Sequence, residues 1–108
     1  MSQELEAAGI AAMDNQTLTF AVDLFSALSH PTRIRIVELL ADGPRTVNDV
    51  AQTLNILQPN ASQHLAVLSR SGVVKVTPVG AMRSYALIGP KIPNLRAMID
   101  EVRAGQDR

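Results

Sequence analysis

The chain contains no cysteine, which removes a whole group of chemistries at the outset. Disulfide bonds, thiolate metal sites and thiol redox switches all require that residue. Aromatic residues make up only 3% of the 108 positions, whereas apolar residues make up 46%. The core must therefore be built from Leu, Val, Ile and Ala, a composition that favours packed helices. A chain of this length has room for one domain with a single modest core.

A long hydrophobic run is also missing. The longest uncharged stretch, residues 50–69, contains Gln, Asn, Ser, His and Pro, which are costly in the hydrocarbon of a membrane. The N-terminus shows no basic segment leading into an apolar one, which is the pattern of a secretory signal. We therefore expect a soluble, cytoplasmic protein without a membrane partner.

The sequence has no net charge, but its charges are unevenly distributed. Residues 1–29 hold four acidic residues and no basic one, residues 30–91 hold seven basic against three acidic, and residues 92–108 are balanced. A basic middle suits contact with an anionic polymer and leaves the ends for other work. An ordinary solvated surface explains the same counts, so charge alone does not decide the function.

Apolar residues recur at steps of three and four in five segments, which predicts five amphipathic helices. Residues 1–14 form an Ala-rich, acidic extension with at most a loose helix, and the first main helix is predicted over Leu18–Leu28. Ser29 is the predicted N-cap of the second helix, and Thr46 with Asp49 forms a capping pair for the third. The core face of the second helix is predicted to contain Ile34, Val37, Leu40 and Ala41.

The fourth helix opens with a run of uncharged polar residues, "QPNASQH". Gln58 is its predicted N-cap and Pro59 its first residue, because proline suits a first helical turn. Ala61, Leu65 and Leu68 then share one core face, and the exposed first turn is left with Gln58, Asn60, Ser62 and Gln63. Such side chains suit the reading of base edges, since Gln and Asn pair bidentately with adenine and a helix N-terminus favours phosphate.

Two β-rich runs and a last helix complete the prediction. The runs flank "PVGAM", where Gly80 supplies the turn of a hairpin, and Asn94–Ala104 repeats apolar residues as the fifth helix. Two helices, a short turn, a polar-fronted helix and a hairpin describe a winged helix-turn-helix. The predicted fold class is mainly α with a two-stranded wing, in a domain spanning residues 15–104 and followed by a short tail, 105–108.

The segments "HPTRIRIVELL", "SQHLAVLSRSGVV" and "RSYAL", taken in this order and spacing, resemble the ArsR/SmtB family of small bacterial and archaeal repressors. The resemblance implies a recognition helix in the major groove of DNA, a wing over the adjacent minor groove, and a homodimer built from the first and last helices. The DNA-binding residues would be Gln58, Pro59, Asn60, Ser62, Gln63 and His64 on the recognition helix, with Arg33 and Arg83. The dimer interface would contain Leu18, Val22, Phe25, Leu95, Met98 and Val102.

Several of these residues have a second interpretation. His64 either touches a phosphate or packs against a neighbouring helix, and Arg33 and Arg35 are either phosphate contacts or solvated surface. Arg83 either meets DNA from the wing or pairs with an acid on its own hairpin. Ser62 and Gln63 either contact DNA or lie on an ordinary solvent-exposed helix surface.

The sequence departs from the family where many members bind metals. The stretch "TVNDV" has Thr46 and Asn48 where such members carry thiols, and the last helix offers Asp100, Glu101 and Asp107 without a histidine. Because borderline transition metals such as zinc prefer His or Cys ligands, we expect no metal site and no cofactor.

Three classes of function are compared. A dimeric transcriptional repressor is favoured, bound to a palindromic operator in double-stranded DNA and controlled by a non-metal signal or a protein co-regulator. The alternative is a winged-helix protein-interaction module without specific operator binding, which the uncharged "QPNASQ" also permits. An enzyme is not expected, because no acid pair, activated nucleophile or phosphate-binding glycine loop is present.

Overall fold

The computed structural model describes residues 2–89 and 94–106. It confirms the predicted fold class, since helices dominate and a hairpin forms a wing. The helices are α1 (Ser2–Ala7), α2 (Asn15–Leu28), α3 (Pro31–Leu40), α4 (Val47–Leu54), α5 (Gln58–Arg70) and α6 (Asn94–Gln106). The strands are β1 (Arg45–Thr46), β2 (Val74–Val79) and β3 (Met82–Leu87). Helices α4 and α5 form the helix-turn-helix, and β2 with β3 forms the wing.

The core lies where α3, α4, α5 and the sheet meet. Ala61, Leu65 and Leu68 of α5 are fully buried, as predicted from their spacing, and they fix which face of α5 is turned outward. Tyr85 of β3 is also buried, which attaches the wing to the same core. The whole buried cluster comprises Ile36, Val37, Leu40, Val50, Ala51, Ala61, Leu65, Leu68, Val73, Val74 and Tyr85.

The predicted core face of α3 was partly wrong. Ile36 is fully buried together with Val37 and Leu40, whereas Ile34 is 36% exposed and Ala41 lies at the surface. The reason is that α3 carries apolar residues on two adjoining faces. One face meets α5, and the other, with Ile34 and Ala41, lines a groove toward α6.

Three helix starts differ from the predictions. Helix α2 begins at Asn15, three residues before the predicted Leu18, because Asp14 caps it and accepts from the Thr17 N–H. The other two differ by one residue. The N-cap of α3 is His30, whose Nδ1 accepts a hydrogen bond from the Thr32 backbone N–H at 3.1 Å, and Ser29 instead ends α2. The N-cap of α5 is Leu57, without a side-chain cap bond, so Gln58 is already helical. The cap at Thr46 is confirmed, because its hydroxyl accepts from the Asp49 N–H at 3.2 Å.

The sheet has the order β1-β3-β2 and is antiparallel throughout. Strand β1 was missed because two residues are too few to show an alternating pattern. It pairs Thr46 with Ser84, and thereby joins the start of α4 to the wing. Gly80 makes the hairpin turn with a φ of 62°, as the sequence predicted.

No helix within residues 2–89 and 94–106 has the length and apolar character needed to cross a membrane.

Candidate nucleic-acid interface

The first turn of α5 presents its polar side chains outward. Gln58, Asn60, Ser62 and Gln63 are all exposed, and so is Pro59 between them. Because the buried face of α5 is fixed by its apolar residues, these side chains are held on one outer surface. Leu57, the N-cap of α5, makes no side-chain cap bond, so it leaves the N–H groups of the first turn, apart from the proline, available to an outside acceptor. We call Gln58, Pro59, Asn60, Ser62 and Gln63 the polar front.

The polar front faces the wing across a groove of about 350 Å³. Gln58 and Ser62 line one wall, and Arg83 of β3 lines the other. Residues that were predicted separately on a helix and on a hairpin therefore share one surface. The strand β1 explains this closeness, since it ties β3 to the start of α4.

Two polar residues in this groove were not among those predicted to bind DNA. Thr46 and Asn48, at the start of α4, lie beside Gln58 and Arg83. Thr46 was predicted as a helix cap, and both residues were noted as replacements for thiols. Their position at the start of the helix that precedes the polar-fronted helix was the signal that could have identified them.

Leu57 is a further addition to this surface. It directly precedes the polar front and is 71% exposed, which is high for a large apolar side chain. A leucine at this position can contact an apolar group, such as the methyl group of thymine. The surface thus combines neutral hydrogen-bonding groups with one apolar contact.

His64 and Arg33 are partly buried and contact each other, whereas the polar front is exposed. The Nη1 atom of Arg33 is 3.4 Å from Nδ1 of His64, and its Nε donates to the Ala27 carbonyl at 2.5 Å. The rings of His64 and His30 have centroids 4.6 Å apart. The structure thus has the packed arrangement that the sequence left open for His64. The contacts of His64 and Arg33 with DNA stay predictions.

The surroundings of His64 disfavour its charged form. Partial burial lowers the pKa of the imidazole, and the nearby His30 and Arg33 lower it further, because a positive charge is destabilised beside them. His64 is therefore neutral near pH 7. In the neutral tautomer with the proton on Nε2, Nδ1 can accept from Arg33, which can only donate.

Most of the predicted dimer residues are exposed on the part of the chain that the structure describes. On α2, Val22 and Phe25 are 62% and 58% exposed, and on α6 Met98 and Val102 are 48% and 60% exposed. Leu18 is 38% exposed, whereas Leu95 packs against the core. Leu24, Phe25, Leu28, Leu95 and Met98 also line one shared apolar hollow between α2 and α6. Both helices thus offer a joint apolar surface.

Within the part of the chain that the structure describes, no three His, Asp or Glu side chains come close enough together to hold a metal ion. Asp100 and Glu101 lie exposed on α6, where Asp100 accepts from Arg96 at 3.2 Å. Asp107 lies outside the described residues.

Comparison with known proteins agrees with this geometry. A model of the helix-turn-helix domain matches residues 28–77. The HTH-type transcriptional regulator Rv0081 of Mycobacterium tuberculosis is 37% identical over 83 residues, which cover 76% of this chain and 73% of that protein. The HTH-type transcriptional repressor SmtB of the same organism is 34% identical, over 85% of this chain and 67% of that protein.

Solved structures extend the likeness to the fold. The crystal structure of Rv0081 aligns with a TM-score of 0.73 and 34% identity, covering 84% of this chain and 92% of that one. The homodimeric winged helix-turn-helix domain of Mb0332 from Mycobacterium bovis, described as a possible ArsR-family regulator, aligns with a TM-score of 0.75 and 26% identity, covering 88% and 91%. This chain accordingly belongs to the ArsR/SmtB family of DNA-binding, winged helix-turn-helix transcriptional regulators.

Proposed function

We propose that this protein is a dimeric repressor that recognises a palindromic operator through the polar front of α5 and through Arg83 of the wing. The observation that carries the proposal is the shared groove, in which Gln58 and Ser62 face Arg83. A helix and a wing placed in this way can enter the major groove and follow the adjacent backbone.

The residues divide by the part of DNA they would meet. Gln58, Asn60, Ser62 and Gln63 carry no charge, so they add no ionic attraction to phosphates but can discriminate base edges. Arg83 is exposed on β3 opposite Pro78 and supplies the positive charge that phosphates or a narrow minor groove attract. The polar front would then set sequence preference, while Arg83 would set affinity and salt dependence.

The dimer is proposed from the apolar surfaces of α2 and α6. An exposed phenylalanine, methionine and valine on adjacent helices are stabilised when water is removed from them, and a two-fold axis pairs identical surfaces. The structurally similar domain of Mb0332, which aligns with a TM-score of 0.75, is described as homodimeric. Two polar fronts related by a two-fold axis would read half-sites about one helical turn apart.

The signal is proposed to be a non-metal ligand or a protein co-regulator. The chain has no cysteine, and its two histidines belong to α3 and α5, far in sequence from the carboxylates of α6. A signal would then act on the α2 and α6 surfaces, whose geometry sets the distance between the two polar fronts. Release of DNA by such a signal requires a coupling between sites of about 1–3 kcal/mol.

The test compares two glutamine variants on two DNAs. Gln63→Ala should cost about 1–3 kcal/mol on the operator and little on random DNA, because only base contacts discriminate sequence. Gln3→Ala makes the same change on α1 and should leave both affinities unchanged. Equal loss of both affinities in Gln63→Ala would refute the assignment. Absence of any preferred DNA sequence for the wild type would favour the protein-interaction alternative instead.

A further inference from the structure

Three elements meet at one polar cluster behind the recognition helix. His30 caps α3, Arg33 projects from the first turn of α3, and His64 lies in the middle of α5. Arg33 bonds in two directions, to His64 of α5 and to the Ala27 carbonyl near the end of α2. That carbonyl belongs to the last turn of α2, where backbone acceptors lack partners within the helix. We call His30, Arg33 and His64 the Arg33 clamp.

The contacts of the clamp restrict the protonation of His64. Nδ1 of His30 accepts from the Thr32 N–H. Nδ1 of His64 lies 3.4 Å from Arg33, and because a guanidinium has no acceptor, a hydrogen bond between them requires this nitrogen to be unprotonated. The intact clamp therefore requires a neutral His64 ring beside the positive charge of Arg33.

Protonation of His64 would oppose this arrangement in two ways. It would place an N–H against the N–H of Arg33, and it would add a second positive charge beside the first. The titratable groups facing His64 are His30, the N-cap of α3, and Arg33 of α3, and from α2 the Ala27 carbonyl accepts from Arg33. The folded chain thus binds this proton less readily than the unfolded chain, and stability falls as the pH drops below about 6.5 toward the lower folded value.

We propose that Arg33 is a positioning residue, which joins the dimerisation helix α2 to the recognition helix α5 through His64 and does not itself bind phosphate. Resting on the proposed function, this inference identifies how the α2 surface and the polar front communicate. A shift of α2 in the dimer moves the Ala27 carbonyl, and Arg33 transfers that movement to α5. Loss of the clamp frees α5 to change its angle in the major groove.

The first test separates positioning from phosphate binding by charge. Arg33→Lys keeps the charge, but a single ammonium cannot reproduce the planar fork that reaches both partners. Positioning predicts that Arg33→Lys and Arg33→Gln lose operator affinity alike, by about fivefold or more, with an unchanged salt slope. A phosphate contact predicts that Lys is tolerated and that Gln lowers the slope by about one unit. The second result would overturn the proposal.

The second test uses the sign of the pH effect. From pH 7.5 to 5.5, at constant ionic strength, operator affinity of the wild type should fall by about fivefold or more, the lower range of coupling between sites. A histidine that touched phosphate would give the opposite sign, because its new charge would strengthen binding. Stronger operator binding at pH 5.5 would therefore overturn the proposal.

Variants of His64 connect the pH effect to the clamp. His64→Gln keeps an acceptor for Arg33 that does not titrate, so it should retain affinity at pH 7.5 and lose most of the pH dependence. His64→Leu removes the acceptor and should bind the operator as weakly as Arg33→Lys. Arg35→Gln is the control, since the Arg35 side chain is 73% exposed and, among the described residues, pairs with Glu38 at 3.7 Å. Its pH profile should match that of the wild type.

A measurement without DNA distinguishes failure of the clamp from failure of the proposed function. In nuclear magnetic resonance of the free protein, titration of the His64 ring should shift the backbone amides of residues 60–63. In Arg33→Gln the pKa of His64 should rise, because a neighbouring positive charge is gone. An unchanged His64 titration in Arg33→Gln would overturn the clamp, even if the operator is bound. If His64 titrates as predicted but the wild-type protein prefers no DNA sequence, the clamp is retained and the proposed repressor function is rejected.

Discussion

Replacing Phe25 by alanine should weaken the proposed dimer strongly, because this ring is the largest exposed apolar group on the predicted interface. Its residue is 58% exposed in the single chain. A phenylalanine presents roughly 200 Å² in total, so about 115 Å² is available for burial by a second subunit. Two-fold symmetry doubles this area, since each subunit contributes its own Phe25.

The expected magnitude follows from that area. At about 25 cal/mol per Å², each ring contributes up to about 3 kcal/mol, and the pair up to about 6 kcal/mol. Alanine keeps part of the contact and neighbouring side chains relax, so we expect a loss of about 3 kcal/mol per dimer. Because about 1.4 kcal/mol corresponds to a factor of ten, the dimer dissociation constant should rise about 100-fold.

Sedimentation equilibrium over a range of concentrations measures this change, and α2 supplies a matched control. Phe20 is 60% exposed, nearly the same as Phe25, but it lies about 160° around the helix from Leu18 and Val22. Phe20→Ala should therefore change dimerisation by less than about fivefold. Equal effects of the two substitutions, or a wild type that is monomeric at micromolar concentration, would refute the assignment of the interface.

The remaining predictions concern the wing, metals and one glycine. Arg83→Ala should make the salt dependence of operator binding shallower by about one unit, and an unchanged slope would remove Arg83 from the DNA surface. Zinc, cadmium and arsenite should change operator affinity by less than about twofold in a titration, and a submicromolar zinc site with tenfold weaker DNA binding would contradict this. Gly72→Ala should lower the free energy of unfolding by about 1–2 kcal/mol in denaturant titration, because Gly72 has a φ of 86°. Gly105→Ala, within α6, should instead raise the free energy of unfolding by about 0.5–1 kcal/mol. A change of the same sign in both variants would show that backbone strain is not the cause.

The sequence alone predicted a structural feature correctly where only one periodic pattern of residues was present. The step pattern of Ala61, Leu65 and Leu68 identified the buried face of α5, and from it the polar front could be predicted. The turn at Gly80 followed from a residue that tolerates a left-handed backbone. These features are local, so neighbouring residues contain the necessary information.

The predictions failed where the local sequence permits two alternative buried faces or two alternative helix caps, because tertiary packing selects one of them. Ile34 and Ile36 both belong to plausible apolar stripes with Val37, and only the position of α5 against α3 shows that Ile36 is the one buried. Ser29 and His30 can each cap α3, and His30 is favoured because its ring also packs against His64. The Arg33 clamp joins three helices, so no pattern along the chain could reveal it.

The central claim, sequence-specific binding by the polar front of a symmetric dimer, is tested most directly by selecting DNA from a random library with the purified protein. The recovered sequences are predicted to contain an inverted repeat with half-sites about one helical turn apart. Selection with Gln63→Ala should relax the preference at one position in each half-site while keeping that spacing. Recovery of sequences without a shared motif, or of the same motif with the same stringency in both selections, would contradict the account.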